Sequence, residues 1–218
     1  MIRDTPSPDD PLGPALRGQV EQLVRPLYVG LDGAAGFDRV SRLRRQAAAL
    51  LAVEGGAGGG PADPFLLELL LLFHGVVDRL GSLGPGGRLD LFLRGAGIPE
   101  ELGRRLRAGL GRLASPGSRA ADPSGPPEEA VLHDALLLDG AGVAAAAERL
   151  MAAGKRRQPL ARALAQLDPG APAERYRTAA GRSLGAARRQ AALAWIDDLR
   201  RRIAEEERAG QGTEGMRE

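Results

Sequence analysis

The sequence predicts an all-α fold, and two observations carry this prediction. Apolar residues recur at helical spacing in one segment after another, and no segment shows the sustained alternation that is typical of a β-strand. The 31 glycines and 16 prolines cluster between the leucine-rich segments, where they separate helices. Because aromatic residues make up only 3% of the chain, the core must be built from Leu, Ala and Val.

Breaker-rich stretches bound each predicted helix. The third helix begins at Asp63-Pro64, where a residue that caps helix N-termini precedes one that suits a first turn. It is apolar almost all round, which indicates a central helix with neighbours on every side. The last helix is long and carries an apolar stripe from Tyr176 to Ile203. The predicted helices cover about residues 13–29, 37–53, 64–80, 88–94, 98–113, 128–138, 143–153, 160–167 and 174–208.

These helices are predicted to form a single domain over residues 13–208. Residues 1–12 are polar and rich in proline, and we expect them to be flexible, as we do the polar tail 209–218. The connector at about 114–127 is polar and full of helix breakers, and we interpret it as a loop within the domain.

Composition argues against several classes of protein and site. The chain has no cysteine, which excludes disulfides, thiolate metal sites and a cysteine nucleophile. The net charge is only +2 with acids and bases interspersed, which argues against nucleic-acid binding. The longest apolar run, residues 65–73, is too short to span a bilayer, and no apolar signal region follows the N-terminus. We therefore expect no membrane partner and a cytoplasmic location.

Five segments, taken in order, resemble the HD-domain metal-dependent phosphohydrolases in their small bacterial single-domain form. The segment "LLLLFHGVVDR" resembles the helix that ends in the family's His-Asp doublet, and "AVLHDALLLDGAGVAAAAERL" resembles its last metal-binding helix. The other three are "LYVGLDGAAGFDRVSRL", "GRLDLFLRGAGIPEELGRRLRAGL" and "YRTAAGRSLGAARRQAALAWIDDLRRRI". The resemblance implies an HD-domain-like helical bundle with a long C-terminal helix. It also implies one or two divalent metals that would be held by histidine and aspartate side chains.

The resemblance marks the positions of a vestigial site: Arg39, His74, Gly75, Asp134, Leu136 and Asp139. Arg39 stands where the family carries its first histidine, and a guanidinium stays protonated and cannot bind a metal. His74 matches the doublet histidine, but Gly75 replaces the doublet aspartate and Leu136 replaces the late aspartate. Since metal catalysis needs several converging ligands, the sequence argues against the family's ordinary activity.

The residues by themselves leave two interpretations open at each of the main positions. His74, on a buried helix, is interpreted as a hydrogen-bonded core or cleft residue; with Asp78 one turn further on, it could instead contribute to a metal site. Arg39 is hypothesised to fill the vestigial site and pair with a neighbouring acid, against the alternative of an ordinary surface arginine. His133-Asp134 repeats the dipeptide of the doublet, but its context fits the late helix, and Asp134 is interpreted as a local hydrogen-bond acceptor.

The leading functional prediction is a catalytically inactive, HD-domain-like protein that acts by binding or scaffolding. No cofactor is expected, and the partner would be an unknown protein or a small anionic ligand; a homodimer stays open. The first alternative is a phosphohydrolase that uses Mn²⁺ or Mg²⁺ in a rearranged site of His74, Asp78, Asp134 and Asp139. The second is a helical interaction module unrelated to that family.

Overall fold

Nine α-helices lie in the part of the chain that the structure, a computed structural model, describes: residues 12–31, 36–54, 62–114 and 125–214. No strand occurs in these ranges, so the prediction of an all-α fold is confirmed. The helices are α1 Gly13–Tyr28, α2 Asp38–Glu54, α3 Pro64–Phe73, α4 Arg88–Gly95, α5 Glu100–Ala114, α6 Pro127–Asp139, α7 Gly142–Lys155, α8 Leu160–Ala165 and α9 Ala179–Glu214. Most of the predicted flexible N-terminus and of the predicted polar loop lies outside the described residues.

Two predicted helices have different bounds in the structure. The third was predicted to continue to residue 80, but its α-helical part ends at Phe73 and a 3₁₀ helix, His74–Arg79, takes over. The last was predicted from residue 174, but a short 3₁₀ turn, Ala173–Arg175, precedes α9. At its other end α9 continues beyond residue 208 to Glu214. Both corrections concern places where side-chain contacts, and not the local pattern, decide where a helix starts or stops.

The chain divides into two compact units, although the sequence analysis treated residues 13–208 as one domain. The first unit comprises Met1–Leu136 with Arg177–Ala180, and α3 is its central helix. Helix α3 is buried from Leu66 to Phe73 and packs against α1, α2 and α5, as its all-round apolarity predicted. The predicted cap is also present, because the Asp63 carboxylate accepts hydrogen bonds from the Phe65 and Leu66 amides at 3.1 and 3.2 Å.

An acid lies inside the apolar surface of α3. Glu68 is only 6% exposed, and it forms an ion pair with Arg44 of α2 and a longer one, at 3.7 Å, with Arg17 of α1. A buried carboxylate is costly unless it is paired, so this acid fixes how α1 and α2 approach α3.

The second unit comprises Leu137–Tyr176 with Gly181–Glu218, and within it α7 packs against α8. Arginine side chains donate to backbone carbonyls at the helix ends of this unit, because the last carbonyl groups of a helix have no partner inside that helix. Arg188 donates to the Leu138 carbonyl at 2.9 Å, and Arg149 donates to the Gly140 carbonyl at 2.6 Å. Arg200 of α9 donates to the Leu164 carbonyl at 2.8 Å.

Among the described helices, none is by itself long and apolar enough to cross a membrane. Only α6 and α7 taken together reach the required length and composition.

Candidate functional site

His74 lies where α3 changes from an α-helix to a 3₁₀ helix. Its Nδ1 is 2.8 Å from the Leu71 carbonyl oxygen, and its side chain is half-buried. Since a carbonyl can only accept, Nδ1 carries the hydrogen in this arrangement. The imidazole therefore bonds to its own helix at one nitrogen, as the interpretation of a hydrogen-bonded core or cleft residue requires.

The space beside Gly75 is filled by Tyr28, the last residue of α1. A β-carbon built on Gly75 would lie 2.7 Å from the Tyr28 hydroxyl oxygen and 3.0 Å from a ring carbon. Real β-carbons do not approach other atoms so closely. At the position that the resemblance assigns to the doublet aspartate, this structure has no room for any side chain while the Tyr28 ring is in place.

The same hydroxyl explains why the α-helix stops here. Tyr28 donates to the Leu72 carbonyl at 3.0 Å and accepts from the Gly75 amide. In a continuous α-helix the Gly75 amide would donate to the carbonyl four residues back, so its bond to the Tyr28 hydroxyl interrupts the ladder. Burial raises the pKa of Tyr28 to about 12, and the Gly75 amide and the charge of Arg39 offset part of that rise.

Arg39 comes into the same region of the first unit. It is half-buried, and its charge acts on the Tyr28 hydroxyl that touches Gly75. Phe37 also packs in this region, with its ring edge-on to the Tyr28 ring and the two ring centroids 5.5 Å apart. The sequence hypothesis placed Arg39 and Gly75 in one vestigial site, and the structure brings both to Tyr28. The proposed pairing of Arg39 with an acid stays a prediction.

Arg79, which the sequence analysis did not single out, ties the 3₁₀ helix to the end of α1. Its Nη1 donates to the carbonyl oxygens of Leu27 and Val29 at 2.7 and 2.8 Å. These carbonyls end α1 without intrahelical partners, so a cation next to them is favourable. The Arg79 contacts hold Tyr28 against Gly75. No signal for these contacts is present in the sequence beyond the isolated glycine at residue 75, which weakens a helix at that point.

Asp134 is fully buried and serves the start of α9. One carboxylate oxygen accepts from the Arg177 amide at 2.9 Å, and the other accepts from the Thr178 amide and hydroxyl at 2.8 and 2.7 Å. His133 also contacts it, with Nδ1 at 3.0 Å. Both carboxylate oxygens are therefore engaged by donors. The sequence analysis interpreted Asp134 as a local acceptor; besides the neighbouring His133, it accepts from donors far along the chain.

The remaining candidate positions are not drawn into a ligand set. Asp78 is exposed, and Leu136 and Asp139 are half-buried. Asp139 belongs to the second unit, whereas Asp78 belongs to the first. Within the described ranges, no group of three or more histidine, aspartate or glutamate side chains could hold a metal ion.

No protein-family model matches the chain, and no curated protein or solved structure matches it either. The HD-domain assignment therefore stays a resemblance in five segments.

Proposed function

We propose that this chain is a catalytically inactive helical protein, a degenerate form of the HD-domain fold, that acts by binding or scaffolding. The observation that carries the proposal is the contact between Tyr28 and Gly75. A ring now takes up the space in which the family resemblance would place a metal-binding carboxylate.

The chemistry of the other positions supports the same conclusion. A hydrolytic metal must polarise a phosphate ester and lower the pKa of a bound water, which requires several ligands and an open coordination position. Arg39 contributes a permanent cation that cannot be a ligand, and Asp134 already accepts three hydrogen bonds from the Arg177–Thr178 turn. Of the ligands that the resemblance implies, His74 alone is retained.

Binding is the activity that such a site can keep. Arg39 preserves positive charge in the region without the Lewis acidity of a metal, which suits a small anionic ligand or an acidic side chain of a partner protein. A cytoplasmic location is part of this proposal.

Metal titration of the purified chain tests the proposal directly. We expect no saturable Mn²⁺ or Mg²⁺ binding by calorimetry and no hydrolysis of nucleotides with either ion. Metal-dependent hydrolysis that disappears in both His74→Gln and Asp78→Asn would establish the rearranged phosphohydrolase instead. It should persist in Asp197→Asn, because Asp197 is an exposed acid that belongs to the second unit.

A second measurement separates the degenerate site from an unrelated helical module. Arg39→Gln should weaken the binding of inorganic phosphate, followed as a shift in the thermal unfolding midpoint, whereas Arg45→Gln on the exposed side of the same helix should not. Equal effects of the two variants would remove the support for a retained site.

A further inference from the structure

The corner formed by α7, α8 and the turn between them, residues 149–167, has an unusual charge distribution. This stretch contains five Arg or Lys residues and no Asp or Glu. Arg149 is used internally, since it donates to two backbone carbonyls. The other four, Lys155, Arg156, Arg157 and Arg162, are all exposed.

These four cations are not neutralised inside the described part of the chain. Some exposed arginines elsewhere pair with an acid of their own helix, as Arg104 does with Glu101 and Arg202 with Asp198. None of the four corner cations takes part in an ion pair of the described residues. Their charge therefore acts outward, over about one Debye length at physiological salt.

Two large apolar side chains are exposed among the cations. Met151 is 63% exposed and lies one helical turn before Lys155, on the same face of α7. Leu160, the first residue of α8, is 49% exposed and lies two positions before Arg162. Residues 149–167 therefore expose two apolar side chains close in sequence to four cations, and Met151 shares a helix face with Lys155.

The turn that carries these residues is well formed. The Arg157 and Gln158 amides donate to the Gly154 and Ala153 carbonyls at 2.8 and 3.0 Å, which closes α7. Arg157 is the only described residue other than glycine with a positive φ, at 56°. Gln158 then donates to the Gln166 side chain at 2.8 Å, which fixes α8 against the turn. The backbone that carries the cations and the apolar residues is thus held by these bonds.

We propose that the α7–α8 corner docks on the surface of an anionic lipid bilayer. Cations gain energy at the headgroups of such a surface, while exposed apolar side chains enter the boundary with the acyl chains. Nucleic acid would match the charge, but it offers nothing to Met151 and Leu160, and residues 149–167 contain no aromatic side chain on which a base could stack.

Surface docking differs from the membrane contact that the sequence analysis excluded. That exclusion rested on the absence of an apolar run long enough to cross a bilayer, whereas docking requires only a few side chains at the surface. The proposal concerns the second unit and does not depend on whether the site around Gly75 is active.

Vesicle co-sedimentation of the purified chain tests the proposal. We expect binding to phosphatidylcholine vesicles that contain phosphatidylserine, weakening as salt is added, and none to phosphatidylcholine alone. The triple variant Lys155→Gln, Arg156→Gln, Arg157→Gly should bind less tightly by about fivefold for each cation removed. The glycine also suits the positive φ at residue 157, so the fold should be retained.

Two matched controls accompany this variant. Arg45→Gln, Arg88→Gln and Arg104→Gln together remove the same charge from exposed positions of the first unit, and binding should be kept. For the apolar component, Met151→Gln with Leu160→Gln should weaken binding, whereas Val53→Gln with Leu91→Gln, at comparably exposed positions, should not.

Several results would overturn the proposal. They are absence of binding to the anionic vesicles, equal loss in the corner variant and its charge control, or no effect of the Met151 and Leu160 substitutions. Binding to an oligonucleotide or to polyglutamate that depends on the corner, without binding to vesicles, would assign the surface to a different partner.

Discussion

Replacing Gly75 by alanine tests the contact on which the proposed function rests. Gly75 does not have a positive φ, so without the Tyr28 contact the added methyl group would stabilise the protein by about 0.4–1 kcal/mol through the unfolded state. With the contact, the new β-carbon would lie 2.7 Å from the Tyr28 hydroxyl, which itself bonds to the Leu72 carbonyl. Overpacking of this kind costs about 1–3 kcal/mol. The sign of the change in unfolding free energy on Gly75→Ala therefore shows whether the Tyr28 contact limits the space beside Gly75.

Thermal unfolding followed by circular dichroism measures this sign. In a chain of this size 1 kcal/mol corresponds to a midpoint shift of about 2–4 °C, so we expect Gly75→Ala to lower the midpoint by several degrees. Gly18→Ala is the control, because Gly18 lies inside α1 with nothing near its β-position and should raise the midpoint.

Repeating the substitution in a Tyr28→Phe protein identifies which atom of Tyr28 causes the destabilisation. Tyr28→Phe removes the hydroxyl oxygen, the atom nearest to the added methyl group, so the cost of Gly75→Ala should be smaller in that background. A Gly75→Ala variant as stable as Gly18→Ala would refute the steric argument, and with it the main support for an inactive site.

Three further predictions concern the buried acids. Asp134→Asn should lower the free energy of unfolding in urea by about 1.5–3 kcal/mol, because an amide keeps only one acceptor for the donors at the start of α9; an unchanged midpoint would contradict this. Glu68→Gln should cost about 1–3 kcal/mol, because Arg44 would keep only its longer ion pair with Glu21 at 3.8 Å. The cost should shrink in an Arg44→Gln background, as a double-mutant cycle would reveal. A backbone amide and neighbouring arginines hold the pKa of Asp90 below its usual 3.8. The contribution of Asp90 to the free energy of unfolding is therefore complete above pH 3.8 and is lost as the pH falls through the lowered pKa. Asp90→Asn should reduce this loss of stability at acid pH, as unfolding measured against pH would show.

The helices were predictable because their signals are local. Apolar periodicity placed the helices within a few residues of their observed bounds, except at the end of α3 and at both ends of α9, and Asp63-Pro64 marked the start of α3. The buried position of α3 followed from its composition alone. Such features depend on residues within one or two helical turns, and these can be read directly from the sequence.

The end of α3 could not be predicted in this way. It is set by the Tyr28 hydroxyl, whose acceptor lies 44 residues further along the chain. Asp134 is a similar case, since the Thr178 amide and hydroxyl that it accepts from are 44 residues away. A side chain that bonds to a distant backbone leaves no periodic signal.

The sequence by itself determined that this protein is all-α, where its helices lie, and that Gly75 and Leu136 stand where the resemblance would require metal-binding acids. Only the tertiary structure decided that a tyrosine ring fills the space beside Gly75, that Asp134 engages the start of α9, and that four cations and two apolar side chains share one exposed corner. Helix formation follows from local backbone preferences and side-chain spacing. Which side chains meet is determined by the packing of helices that are distant in sequence.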